Sequence, residues 1–181
     1  MNHKLPTMAR QLTTTHETYM RQALDLARRA LDQDEFPVGC IVVYEKRIIA
    51  RGERTGTRQP IPSELDHAEI IALRQMEHLT IPIDRQKATL YTTLEPCLMC
   101  FGALLISGIG TIVYAYEDAM GGGTACDRSQ LPALYKDNGT RIIAPVCRQE
   151  SLALFKDYFS RDHIDYWRDS YLAEYTLAQS S

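Results

Sequence analysis

The sequence has little net charge, no long apolar run and no internal repeat. Its formal net charge is −3 at pH 7 over 181 residues, so no global basic field attracts nucleic acid, although a local basic patch is compatible with that total. No apolar run approaches the length of a membrane span. Residues 1–15 are polar and lack the apolar core of a secretion signal. We therefore expect a cytoplasmic protein with no membrane partner.

Cysteine is sparse and odd in number. Five cysteines fit a reducing compartment better than a disulfide scaffold. Cys40 lies in an apolar stretch, where cysteine acts as a small hydrophobic residue, and we expect Cys126 and Cys147 to be equally unreactive. Cys97 and Cys100 differ, because they stand three residues apart directly after a proline.

The sequence also lacks low-complexity tracts and domain linkers. Its composition, 45% hydrophobic and 24% charged, is that of an ordinary globular protein, and its length suits one domain with a substantial core. We expect residues 1–16 to be a flexible lead-in and residues 17–160 to form the catalytic domain. Residues 161–181 are expected to be a helical extension of that domain.

Amphipathic helical segments alternate with short β-branched segments, which indicates an α/β layered sheet. Residues 38–44 and 48–53 are predicted to form a hairpin, which makes the sheet mixed. Further strands are predicted at 88–94, 111–116 and 141–146. Helices are predicted at 17–32, 67–78, 97–107, 151–160 and 162–178.

Two short motifs carry the chemistry. His67-Ala68-Glu69 and Pro96-Cys97-x-x-Cys100 supply one imidazole, two thiols and a carboxylate. Zinc favours this ligand set, and a site with three protein ligands leaves its fourth position open to water. Zinc lowers the pKa of a bound water towards neutrality. We therefore predict one zinc ion per chain, held by His67, Cys97 and Cys100.

Glu69 is predicted to be the catalytic acid and base rather than a fourth ligand. It would take a proton from the water and return it to the substrate. The pair of motifs, in this order, is the signature of zinc nucleobase deaminases. Cys-x-x-Cys alone is less specific, since it also occurs in redox pairs and structural zinc sites. A non-catalytic zinc-binding domain and a redox role for Cys97 and Cys100 therefore stay open as alternatives.

Two further segments have alternative interpretations. Residues 117–132 contain Gly121-Gly122-Gly123 and no periodicity, which favours a flexible surface loop over a lid or substrate-contact loop. The C-terminal segment carries Tyr166, Trp167, Tyr171 and Tyr175. Packing or a subunit contact is favoured there over a platform that stacks on bases.

The chain resembles the cytidine/deoxycytidylate deaminase superfamily and is most similar to its tRNA-specific adenosine deaminase branch. The resemblance covers residues 17–160 and is strongest over 67–74 and 93–103. It implies an α/β/α sandwich of three layers around a mixed five-stranded sheet, and a homodimer with the active site near the subunit interface. It also implies that the base ring lies near Val38 and that the backbone at Ala68 and Pro96 meets the reacting edge.

Two departures from the branch bear on the substrate, which is expected to be a nucleobase in a tRNA anticodon loop or in a small molecule. The branch has a substrate-contacting Asn just after the second strand, where this chain reads Gly52-Glu53-Arg54-Thr55. The branch also tends to have a basic C-terminal helix, whereas residues 160–178 here are acidic.

These departures leave two predictions open: deamination of a tRNA wobble adenosine to inosine, or deamination of a free base, nucleoside or nucleotide such as guanine, cytosine, CMP or dCMP. In the second case Arg54 or Arg58 would bind a phosphate, the alternative being solvated loop charges. The riboflavin-pathway deaminases place their second cysteine farther along, so the Cys-x-x-Cys spacing disfavours them.

Overall fold

The fold is built on one mixed sheet with the strand order β2-β1-β3-β4-β5. The structure, a computed structural model, describes residues 6–136 and 139–180, with the backbone alone for residues 6–14. The strands are β1 (Gly39–Tyr44), β2 (Arg47–Glu53), β3 (Thr89–Leu94), β4 (Thr111–Tyr116) and β5 (Arg141–Ile143). The helices are α1 (Pro6–Asp32), α2 (Ala68–Glu77), α3 (Leu98–Ile106), α4 (Ala133–Lys136), α5 (Arg148–Phe159) and α6 (Tyr171–Ala178).

The hairpin prediction is confirmed, because β1 runs antiparallel to β2 and also to β3, while β3, β4 and β5 are parallel. Side chains alternate along β1: Ile41 and Val43 join the core under α1, and Cys40 and Val42 join the core under α2 and α3. Helices therefore cover both faces, which confirms the three-layer α/β/α sandwich around a five-stranded sheet.

Close backbone contact fixes the start of α2 over the sheet. A Cβ atom on Gly52 of β2 would lie 2.0 Å from the carbonyl oxygen of Ala68, so only glycine allows this approach. The start of α3 follows β3 after a short connection, since β3 ends at Leu94 and Cys97 is the residue that caps α3. The starts of α2 and α3 therefore meet at one end of the sheet.

The N-terminal helix is longer than predicted. It begins at Pro6, not near residue 17, and a proline is well suited to the first turn of a helix because that turn lacks N–H partners. Residues 1–5 of the expected lead-in lie outside the described residues, and its flexibility stays a prediction.

The predicted helix over 162–178 is wrong in its first half. Residues 161–170 form turns, and the helix begins only after Ser170, whose side chain accepts a hydrogen bond from the Ala173 N–H. Two features stop a helix from forming earlier: Trp167 has a left-handed backbone with φ of 60°, and Arg161 donates to the Asp34 carboxylate and the Leu31 carbonyl. Among the described residues, no helix combines the length and apolar character needed to cross a membrane.

Candidate active site

The structure brings His67, Cys97 and Cys100 together. His67 precedes the first turn of α2, Cys97 precedes the first turn of α3, and Cys100 lies in that first turn. The Nδ1 atom of His67 is 3.6 Å from the Cys97 sulfur and 3.5 Å from the Cys100 sulfur. All three donor atoms lie within 4.8 Å of one another.

This spacing fits a zinc ion. Zinc bonds of about 2.0–2.1 Å to nitrogen and about 2.3 Å to sulfur, at tetrahedral angles, separate the two ligand atoms by about 3.5 Å. Within the described ranges, the cluster contains these three donors and no further His, Cys, Asp or Glu. A three-donor set leaves a tetrahedral ion one position for water or substrate, which is typical of catalytic rather than structural zinc.

Glu69, of which only 3% is exposed, places its carboxylate beside the cluster. Its Oε1 accepts a hydrogen bond of 2.7 Å from the Thr92 hydroxyl, and its Oε2 is 3.5 Å from the Cys100 sulfur. Burial raises the pKa of Glu69, and the hydrogen bond from Thr92 opposes that rise. The carboxylate is therefore oriented by a second side chain and placed where it can exchange a proton with a group at the metal.

The two cysteines differ in their proton affinity. The hydrogen bond from Cys100 lowers the pKa of the Cys97 thiol to about 4, while the same contact and burial raise the pKa of Cys100. Burial lowers the pKa of His67, but its hydrogen bond with Cys97 and the charge of Glu69 raise it on balance. The lowered pKa favours the thiolate of Cys97, which is the form that binds metal.

A narrow cavity of about 60 Å³ opens beside the cluster. Three of the predicted substrate-contact residues, Val38, Arg54 and Ala68, line it together with His67, Glu69 and Cys97. Pro96 is not among its lining residues, and the Pro96 carbonyl oxygen instead accepts a hydrogen bond from the Gly123 N–H at 2.9 Å. A substrate contact by Pro96 stays a prediction.

The glycine-rich segment forms one wall of this cavity. Asp118 and Gly121 line it. The carboxylate of Glu95 accepts hydrogen bonds from the Asp118 N–H at 3.2 Å and the Thr124 N–H at 3.1 Å. Residues 118–124 form a loop that Glu95 holds against the start of α3, and Ala119 and Met120 in it are exposed. Its flexibility and any contact with a substrate stay predictions.

The C-terminal segment forms the cover of the cavity. Tyr166, Trp167 and Leu172 line it, and the Tyr166 ring packs 5.7 Å from the ring of Phe36. The predicted packing role is thus present, but the same residues also face the cavity. Only the aromatic content of residues 166–175 signals such a role in the sequence, and periodicity could not show which side chains face the metal cluster.

Fold and cluster together define a class of protein: an α/β/α sandwich with a His-Cys-Cys metal site and a buried carboxylate beside it. The chain belongs to the family described as the cytidine and deoxycytidylate deaminase zinc-binding region, whose model matches residues 13–116. It is therefore a zinc-dependent deaminase, a hydrolase that acts on C–N bonds, as the two motifs predict.

Several known proteins are similar to the chain. It is 31% identical over 152 residues to the tRNA-specific adenosine deaminase subunit tad2 of Schizosaccharomyces pombe; the match covers 83% of this chain but only 39% of that relative's length. A solved structure from work on A-to-I editing by tRNA:A34 deaminases superposes with a TM-score of 0.62 at 29% identity, over 76% of this chain and 98% of that one. A point mutant of NE0047 in complex with 8-azaguanine superposes with a TM-score of 0.60 at 26% identity, over 79% of this chain and 83% of that one.

Proposed function

We propose that His67, Cys97 and Cys100 hold one zinc ion per chain and that Glu69 is the acid and base in hydrolytic deamination of a nucleobase. When bound, the ion acidifies the attacking water and so supplies a nucleophile near neutral pH. The observation that carries the proposal is the buried Glu69 carboxylate, which lies 3.5 Å from a sulfur of the three-donor cluster.

Glu69 moves the protons. Its carboxylate accepts a proton from the attacking water, donates it to a ring nitrogen of the base and then assists the departure of ammonia from the amino-bearing carbon. The Thr92 hydroxyl orients this carboxylate through its hydrogen bond of 2.7 Å. Phe36, Val38 and Leu94 give the cavity apolar walls that suit the faces of an aromatic ring.

The first candidate substrate is the wobble adenosine of a tRNA, which is deaminated to inosine. Its support is the likeness to the S. pombe tRNA-specific adenosine deaminase subunit and to the solved tRNA:A34 deaminase. An anticodon loop presents unpaired bases, so its adenosine can enter a pocket without the opening of a duplex.

A second candidate is a small substrate: a free base, nucleoside or nucleotide. The cavity measures about 60 Å³, whereas ligand sites usually measure about 300–1,000 Å³, so its size favours a small substrate over a large one. Tyr166, Trp167 and Leu172 cover it. The likeness to a protein solved with 8-azaguanine adds support.

The assembly is proposed to be a homodimer. Helix α3 exposes Leu98 at 63%, Met99 at 37% and Ile106 at 55%, next to an apolar groove lined also by Leu131 and Tyr135. Exposed apolar surface of this kind marks a protein interface, and here it lies on the helix that carries both cysteines. We also propose a cytoplasmic location, since all five cysteines are free.

Substitution of Glu69 tests the proposal. We expect Glu69→Gln to keep one zinc per chain and the wild-type melting temperature, but to lose about 10²–10⁴-fold in kcat because the proton carrier is gone. Ammonia release would be measured on a tRNA anticodon stem-loop with adenosine at the wobble position, and on adenosine, guanine, cytosine, CMP and dCMP. Glu77→Gln, an exposed acid on the same helix, is the matched control. Wild-type turnover by Glu69→Gln would overturn the role of Glu69, and zinc-loaded wild type that deaminates no amino base would favour a non-catalytic zinc domain.

A further inference from the structure

Arg54 is a buried cation without a carboxylate partner. Arg54 is 2% exposed and forms no ion pair among the described residues. Other arginines do pair, among them Arg29 with Glu53, Arg148 with Glu117 and Arg161 with Asp34. A buried charge is costly unless it is paired, so an unpaired guanidinium in a cavity wall points to a negative group supplied by a ligand.

The protein holds the Arg54 guanidinium in place with neutral acceptors. Nη1 donates to the Thr55 carbonyl at 2.9 Å, and Nη2 donates to the Ser63 carbonyl and, at 3.3 Å, to the Tyr166 hydroxyl. The Tyr166 hydroxyl in turn donates to the Glu64 carboxylate at 3.0 Å. Because a guanidinium has five N–H donors, Nε–H and one Nη1–H are left for a ligand.

A second, larger cavity lies on the other side of Tyr166, and Arg54 itself is not among its lining residues. It measures about 540 Å³ and shares Tyr166 with the cavity beside the metal cluster. Its walls include Thr57, Arg58, Tyr158 and His163. The Tyr158 hydroxyl is buried and has no hydrogen-bond partner among the described residues, so one polar group at this wall is left unsatisfied.

The acidic groups at the second cavity do not make it repel an anion. Asp34 is already paired with Arg161 at 2.7 Å and with His163 at 3.1 Å. The Asp165 side chain is 96% exposed, and water screens its charge. Arg58 lies at the same wall, and Arg54 adds a positive charge without an ion pair to the neighbouring cavity.

We propose that Arg54 is a specificity-determining residue that binds a phosphate group of the substrate nucleotide. The inference rests on the proposed deaminase function and deepens it: the base lies beside the cluster, and the phosphate lies at the Arg54 wall of the same cavity, where Tyr166 separates it from the second cavity. Arginine suits phosphate because its planar donors match the phosphate oxygens. A free 5′-monophosphate and the phosphodiester of an RNA loop present the same chemistry.

Binding measurements on proteins that cannot turn over substrate test the proposal. In the zinc-loaded Glu69→Gln background, calorimetry would compare adenosine with AMP, cytidine with CMP, and an anticodon stem-loop with the same loop carrying a methylphosphonate beside the target adenosine. We expect the phosphate to improve affinity on the order of tenfold or more for one of these pairs, and Arg54→Met to abolish most of that gain. A higher affinity for AMP or CMP than for the nucleoside would identify a free nucleotide as the substrate. A higher affinity for the unmodified stem-loop than for the methylphosphonate stem-loop would identify RNA as the substrate.

Two further variants separate recognition from folding. Arg54→Lys keeps the charge and is expected to retain part of the phosphate gain, and Arg51→Met, at an exposed arginine of β2, is expected to retain all of it. An Arg54→Met protein that loses affinity equally for both members of a pair would overturn the proposal, as would a phosphate that adds no affinity in any pair. An Arg54-dependent phosphate gain in a protein that deaminates nothing would uphold the site while overturning the proposed reaction.

Discussion

The cluster of His67, Cys97 and Cys100 lies next to the cover of the cavity, but the two come from different kinds of sequence segment. The cluster comes from two short motifs at the starts of α2 and α3, where Cys100 is fully buried and Glu69 is 3% exposed. The cover comes from turns near residue 166, far along the chain, and its Trp167 is 36% exposed. The proposed reacting groups therefore lie at two helix starts, whereas a partly exposed surface segment lines the cavity beside them.

This difference separates chemistry from selectivity. Substitutions in the cluster should remove the reaction altogether, and substitutions in the cover should change which substrates enter and how tightly they bind.

Removal of a proposed ligand should have the largest effect. Cys100→Ala is expected to reduce zinc, measured by elemental analysis, from about one to near zero per chain and to abolish deamination, because two donors hold the ion poorly. Cys126→Ala, at an exposed free cysteine, should change neither value. Full activity in Cys100→Ala would show that the cluster is not the reaction centre.

Loss of the hydrogen bond to Glu69 should have the next largest effect. Thr92→Val removes the donor that stabilises the ionised carboxylate, so the pKa of Glu69 should rise and kcat should fall about tenfold. The acidic limb of the pH profile of kcat/KM should therefore move to higher pH. Thr93→Val is a matched control, because its buried hydroxyl accepts from the Gly39 N–H and does not touch Glu69. An unchanged acidic limb in Thr92→Val would contradict the role of Thr92.

The contrast between the two regions also explains what the sequence could and could not predict. The metal cluster follows from residue types and spacing, since Cys97 and Cys100 fall on one helical face and His67 stands at a helix start. The sheet follows from its β-branched segments. The C-terminal turns do not follow, because local propensity favours a helix through residue 167 while long-range contacts such as Arg161 with Asp34 override it. The wall formed by Asp118 depends on Glu95, a pairing between distant residues that no periodicity reveals.

Opening the cover should affect binding more than chemistry. Trp167→Ala is expected to raise KM for nucleosides on the order of tenfold, since it removes a large apolar wall of the cavity, while zinc content stays unchanged. Tyr171→Ala, a 58% exposed aromatic outside the cavity, should leave KM unchanged. A smaller KM for the stem-loop in Trp167→Ala would identify the cover as an obstacle to RNA, and an unaltered KM for every substrate would contradict its role.

The smallest expected effect concerns the attachment of α6, which carries Leu172 of the cover. Glu117 accepts hydrogen bonds from Arg148 and from the Tyr175 hydroxyl at 2.8 Å. Burial opposes ionisation, but the hydrogen bonds from Arg148 lower the pKa of Glu117 on balance. The pair therefore adds stability above the unfolded-state pKa of about 4.3, and that stability is lost as the pH falls through the lower folded-state value.

Glu117→Gln is accordingly expected to reduce the free energy of unfolding by about 1 kcal/mol at pH 7, a modest value because the pair is partly exposed. The deficit should shrink below about pH 4, as measured by thermal melts across pH. Glu150→Gln, whose exposed ion pair with Arg21 measures 3.7 Å, should melt like wild type. A deficit that does not vary with pH would mean that the contribution of Glu117 is packing rather than charge.

Anomalous diffraction at the zinc edge, from crystals of protein prepared with zinc, would show whether His67, Cys97 and Cys100 bind one ion. We expect one peak per chain within bonding distance of His67 Nδ1 and the sulfurs of Cys97 and Cys100, with the Glu69 carboxylate beside the ion and not bound to it. Well-ordered crystals without a peak at that position would overturn the proposed zinc site, and so would a peak within bonding distance of the Glu69 carboxylate as a fourth protein ligand.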